Sequence, residues 1–161
     1  MANPPRKILF VCLGNICRSP AAHTAFEAHL AKAGLAGEFT VESCGMGDWH
    51  VGELADSRMR ETARRHGATI THRARHFRAD DLETFDLILA MDEDNKRSLL
   101  SFAKKESQRA KIRLLREFDE DADAPLEVPD PYYGGPKEFE EVWTLVDRCT
   151  ARLLSRLTAT P

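Results

Sequence analysis

The sequence predicts an α/β fold: a single doubly wound domain over residues 1–161, with a parallel sheet of four or five strands and helices on both faces. Two observations carry that expectation. Short continuous apolar runs at Ile8–Leu13, Leu87–Met91 and Ile112–Leu115 have the length and composition of strands buried on both sides. Between and after them lie longer stretches with apolar residues at helical spacing, so strand and helix alternate along the chain.

The first strand, Lys7 to Cys12, runs into Gly14, and a helix follows from Ser19 with Ala22, Phe26, Leu30 and Ala33 on one stripe. Pro20 fits its first turn, and Gly34 suits the left-handed position just past its end. Glu38 to Ser43 alternates polar and apolar residues as a second strand, before a loop over 45–52 with three glycines. Asp56 caps a polar helix with a thin apolar stripe, running to His66 and stopped by Gly67. A third strand at Asp86–Met91 leads into a helix through Leu99, Leu100 and Phe102, and Ile112–Leu115 is a further strand. An acidic run (119–123) and a proline-bearing stretch (125–136) form a long connection of the kind that often carries function. The final helix has the clearest stripe, Phe139, Val142, Trp143, Val146, Cys149, Leu153, Leu154 and Leu157, and must pack on the rest of the fold, with Trp143 in the core.

Composition narrows the function classes. The 23 basic and 26 acidic residues leave a net charge of −3, which argues against a nucleic-acid binder or a polybasic membrane-surface protein. The early apolar run is far shorter than the roughly 18 residues of a membrane span, and Asn15 and Arg18 interrupt any signal-peptide pattern, so a cytoplasmic location is expected. Cys12, Cys17, Cys44 and Cys149 then read as reduced thiols, with Cys44 and Cys149 as small buried hydrophobes. His72 and His76 have helical metal-pair spacing, but Arg73 and Arg75 between them repel a cation, so neither a metal nor a cofactor is expected. The basic residues Arg58, Arg60, Arg64 and Arg65 read as a solvated helix face, with steering of acidic substrates as the other reading.

The chemistry concentrates in Cys12-Leu13-Gly14-Asn15-Ile16-Cys17-Arg18-Ser19-Pro20, where a strand ends and a helix begins. Ligands of doubly wound sheets bind at the carboxyl ends of strands, and a helix start offers unpaired amide hydrogens with partial positive charge. A tight loop over residues 13–18 therefore makes an anion nest suited to phosphate or sulfate, completed by the planar fork of Arg18. The same field favours the Cys12 thiolate, Ser19 can donate a hydrogen bond to that sulfur, and Asn15 can hold a left-handed turn. Attack of sulfur on phosphorus and a cysteinyl-phosphate intermediate follow, without a metal. The leaving oxygen needs an acid. Asp130, between prolines and beside Tyr132 and Tyr133, suits that role better than Asp119, Asp121 and Asp123, which sit in a run that reads as solvated.

With both segments in view, Cys12–Pro20 and Asp130–Gly134 resemble the two signatures of the low-molecular-weight protein tyrosine phosphatases, in matching order across almost the whole chain. The resemblance implies a metal-independent phosphatase acting on tyrosine-phosphorylated proteins or aryl phosphates. It implies Cys12 as nucleophile, Arg18 as phosphate ligand, Asp130 as acid and then base, and Ser19 as helper. Asn15, Ser43 and His72 match positions that hydrogen-bond one another behind the loop. Trp49, Tyr132 and Tyr133 match walls of the substrate cleft, and Cys17 matches a second thiol able to pair reversibly with Cys12. His23, Cys44 and the Leu54-Ala55 pair depart from the family's usual residues. The competing readings are an arsenate reductase of the same fold, disfavoured because residues 80–91 contain no cysteine, and a phosphotyrosine-binding module without turnover.

Overall fold

The computed structural model describes residues 5–119, 122–123 and 125–159. Four parallel strands, β1 (Lys7–Cys12), β2 (Thr40–Gly45), β3 (Leu87–Ala90) and β4 (Ile112–Leu114), form one sheet in the order β2-β1-β3-β4. The predicted doubly wound α/β fold is thus present, with four strands among the described residues. Alternation along β1 divides two apolar cores. Ile8 and Phe10 face α1 (Arg18–Lys32) and α6 (Pro136–Leu157), while Leu9 and Val11 face the side that carries α4 (Glu93–Phe102). On the first side Phe10 and Phe26 meet edge to face, and the α6 stripe from Phe139 to Leu154, including Trp143, is buried.

The element boundaries move where pairing overrides local pattern. β2 starts two residues later than the alternation suggests, because its register with β1 runs from Lys7 opposite Thr40 to Cys12 opposite Gly45. Gly34 and Gly67 both take positive φ just beyond their helices, α1 and α2 (Ser57–Arg65), as their positions predict. Two one-turn helices, α3 (Asp81–Thr84) and α5 (Glu106–Arg109), and a 3₁₀ turn (Leu115–Phe118) are too short to leave a periodic trace.

The basic face of α2 is solvated, as its sequence suggests. Arg58, Arg64 and Arg65 are exposed and Arg60 half-buried, while Arg58 pairs with Asp56, Arg60 bonds the Ala55 carbonyl, Arg64 pairs with Glu61 and Arg65 with Glu140, so the face meets solvent with its charges matched. Asp119 is a correction: it is buried rather than solvated, and its carboxylate is shared among Arg116, Arg148 and Arg152. Asp121, set with Asp119 against Asp130 for the acid role, lies outside the described residues. Among the described residues no helix is long and apolar enough to cross a membrane.

Candidate active site

The site forms where β1 ends. Cys12 is the last residue of that strand, and residues 13–17 turn back to α1, which begins at Arg18. Asn15 has φ 57°, a left-handed conformation that its short amide tolerates and two bonds secure. Its Nδ2 donates to Ser19 Oγ at 2.8 Å, and its Oδ1 accepts the Arg75 backbone N–H at 3.0 Å. In that pose the Asn15 backbone N–H meets Cys12 Sγ at 3.3 Å, and Ser19 Oγ lies 3.0 Å from the same sulfur. Having accepted from Asn15, the Ser19 hydroxyl keeps its own proton for the sulfur or, at 3.4 Å, for the Cys44 carbonyl. No side chain caps the start of α1 and no acidic residue occupies its first turn, so the positive end of the helix faces the loop unneutralised.

Glycine at 45 lets the loop close. A Cβ there would stand 2.9 Å from the Leu13 carbonyl oxygen and 3.0 Å from the Asn15 nitrogen. The Cys12 and Leu13 carbonyls accept the N–H groups of Met46 and Gly47, which seats the loop on the segment after β2.

Arg18 is buried, and a residue not foreseen in the sequence orients it. Its Nη1 donates to Asp92 Oδ2 at 2.7 Å and to the Val128 carbonyl at 3.1 Å, while Nη2 stands 3.6 Å from Asp130 Oδ2. Burial opposes the charge of Arg18, and Cys12, Asp92 and Asp130 outweigh it, so the guanidinium holds its proton more tightly than an ordinary arginine. Asp92 follows β3 and caps α4 with its other oxygen, through the Asn95 N–H at 2.7 Å. The signal in the sequence was its place just beyond a third strand, on the same sheet edge as Cys12.

Asp130 stands on the connection before α6, its Oδ1 accepting the Tyr132 N–H at 3.1 Å in a side-chain turn. Cys12, Leu13, Gly14, Ile16, Cys17 and Arg18 line a cavity of about 310 Å³ with Asp130, and Trp49, His50, Tyr132 and Tyr133 stand around it. Tyr133 is 97% and Trp49 67% exposed, which leaves a broad apolar rim above a polar floor. His50 was not singled out as a site residue; its Nδ1 is bonded to Glu53 at 2.6 Å.

Behind the loop the arrangement differs from the expected network. Ser43 Oγ bonds His72 Nε2 at 3.1 Å, but also His23 Nδ1 at 3.2 Å, and Asn15 is engaged with Ser19 and Arg75 instead. The two imidazoles stack with centroids 4.3 Å apart, and Glu27 meets His23 Nε2 at 3.0 Å. One hydroxyl carries one proton, so Ser43 donates to one ring and accepts from the other. Burial foremost, and then the charge of His23, push the His72 pKa down to about 4, with Glu27 acting the other way. Cys17 is a free thiol on the cavity wall, and burial above all raises its pKa.

Known proteins give the same picture. The family model described as "Low molecular weight phosphotyrosine protein phosphatase" matches residues 7–160. A low molecular weight protein-tyrosine-phosphatase of Streptomyces coelicolor is 42% identical over 150 residues, covering 92% of each chain. The pig (Sus scrofa) low molecular weight phosphotyrosine protein phosphatase is 38% identical over 153 residues, or 94% of this chain and 96% of its own. A solved protein tyrosine phosphatase from Entamoeba histolytica, with Hepes in its active site, superposes with a TM-score of 0.90 at 38% identity, over 94% of this chain and 96% of the other. With a matching fold and relatives aligned nearly end to end, the chain belongs to the low molecular weight phosphotyrosine protein phosphatase family.

Proposed function

We propose that Cys12, Arg18 and Asp130 carry out the hydrolysis of phosphotyrosine in proteins, and of small aryl phosphates, through a cysteinyl-phosphate intermediate. One observation supports this above the rest: sulfur, guanidinium and carboxylate converge on a single cavity, with the Asn15 N–H at 3.3 Å and the Ser19 hydroxyl at 3.0 Å from the sulfur. The phosphate group sits in the loop of residues 13–18, its oxygens taken by inward N–H groups and by Arg18. Cys12 Sγ displaces the tyrosine oxygen: the S–P bond forms, the P–O bond breaks, and Asp130 gives its proton to the leaving phenoxide. Water then attacks phosphorus, giving a proton to the Asp130 carboxylate. The S–P bond breaks, and Ser19 stabilises the departing sulfur through its hydroxyl.

Trp49, Tyr132 and Tyr133 supply an aromatic rim that a phenyl ring can reach from the floor and a shorter phosphoserine cannot. Ser43 and His72 brace β2 beneath the loop, and Cys17, which lines the same cavity as Cys12, is the thiol that captures an oxidised Cys12.

Cys12→Ser is expected to abolish turnover while keeping phosphate binding, and Asp130→Ala to lower kcat by about 10² to 10⁴. A phosphopeptide panel assayed in EDTA checks both residue preference and metal independence. Wild-type rates from both variants overturn the roles, and turnover of phosphoserine peptides equal to that of phosphotyrosine peptides overturns the substrate class.

A further inference from the structure

The phosphate loop and the Asp130 loop lie far apart in the chain, yet proton transfer requires them in register. A side chain outside the cavity joins them. Asp56, the cap of α2, gives its backbone N–H to the Ile16 carbonyl at 2.9 Å, which fixes the start of that helix to the phosphate loop. Its carboxylate takes a two-pronged bond from Arg58, Nε to Oδ1 at 3.0 Å and Nη2 to Oδ2 at 2.8 Å. The other edge of the guanidinium reaches the acid loop, Nη2 donating to the Tyr132 carbonyl at 3.0 Å and Nη1 to that of Gly134 at 3.5 Å. Arg58 also lies over the rings of Phe139, at 4.5 Å, and Tyr132, at 5.5 Å.

The geometry points to Arg58 as a positioning residue for the proton-transfer step, a clamp that ties the Asp130 loop to the phosphate loop through Asp56. Asp130 is bonded to the N–H of Tyr132, the residue whose carbonyl Arg58 holds, so a shift at Tyr132 moves the acid directly. Arg58 is not among the residues that line the cavity, and acts through Tyr132 and Gly134. A partly exposed ion pair of this kind adds little to stability, so its use in the fold lies in geometry. Lysine cannot replace it, because one ammonium cannot grip a carboxylate with two prongs and reach two carbonyls as well. The inference rests on Asp130 being the acid.

The test uses the full chain with Arg58→Met and Arg58→Lys, and a series of aryl phosphates graded from good to poor leaving groups. It reads kcat/KM, which reports the first chemical step. Phenyl phosphate is expected to lose about 10- to 100-fold in both variants and p-nitrophenyl phosphate less than about 3-fold, since only a poor leaving group needs the acid. Inhibition by inorganic phosphate stays within about twofold, because the loop that binds it is untouched. In an Asp130→Ala background, Arg58→Met adds no further loss on phenyl phosphate. Equal losses across the series, or full additivity with Asp130→Ala, overturn the clamp. Where Asp130→Ala steepens the leaving-group dependence and neither Arg58 variant does, the clamp alone fails. Where Asp130→Ala leaves that dependence flat, the acid assignment fails and takes the clamp with it. Arg58→Lys keeps the charge and the aliphatic stem, and so decides the matter if Arg58→Met does not fold.

Discussion

Asp92 holds Arg18 in a way that no residue near Arg18 in the chain does. The guanidinium is 3% exposed, and an N–H left without an acceptor at that depth costs far more than the bond itself contributes. Asp92→Ala is therefore expected to turn the Arg18 fork and lower kcat/KM by about 10- to 100-fold, with weaker inhibition by phosphate; steady-state kinetics with p-nitrophenyl phosphate checks it. Cys12 and Arg18 could be read as a pair because their five-residue gap lies inside one strand–loop–helix transition, and Asp130 because prolines and tyrosines flank it. Asp92 left only its place just beyond a third strand, since its partner is 74 positions away and short-range pattern carries no record of that pairing. His23 was hidden for a similar reason: its partners Ser43 and His72 reach it only once β2 lies beside β1.

At the scale of elements, the way the phosphate loop closes onto β2 sets a steric limit at Gly45. Gly45→Ala drives a methyl group against the Leu13 carbonyl and the Asn15 nitrogen, both backbone atoms that cannot swing aside. It is expected to cost about tenfold or more in kcat/KM while lowering the urea midpoint only modestly, because the strain falls on the loop rather than on either core. The strand–helix alternation was legible because buried strands and amphipathic helices leave different periods. The one-turn helices and the start of β2 were not, because pairing and capping decide them. Asp119 shows where composition misleads. Its acidic neighbours suggest a solvated run, yet three arginines, two of them on α6, draw it inward and tie the 3₁₀ turn to that helix. Asp119→Asn is expected to destabilise the fold by about 2–3 kcal/mol, less than for a fully buried pair because the arginines stay partly hydrated, as urea titration measures.

For the molecule as a whole, two groups whose pKa values folding lowers move stability in the same direction with pH. Hydrogen bonds from Arg148 above all hold the Asp119 pKa below the ordinary carboxylate value, so its contribution is present above that value and lost as pH falls through the lowered one. His72 binds its proton near pH 4 when folded and near 6.5 when unfolded, so between those values the unfolded chain holds more protons and stability falls as acid is added. His72→Gln is therefore expected to flatten the loss of stability between pH 6.5 and 4, measured as the change in urea midpoint across that range. The sheet edge that gathers Cys12 and Asp92, and the two cores packed against its faces, make one frame in which a surface rim can change without disturbing the interior. The two tryptophans divide along that line, Trp49 on the rim at 67% exposure and Trp143 inside at 4%. Their fluorescence accordingly separates two events in one sample: quenching of the outer indole follows occupancy of the mouth, and the red shift of the inner one follows unfolding.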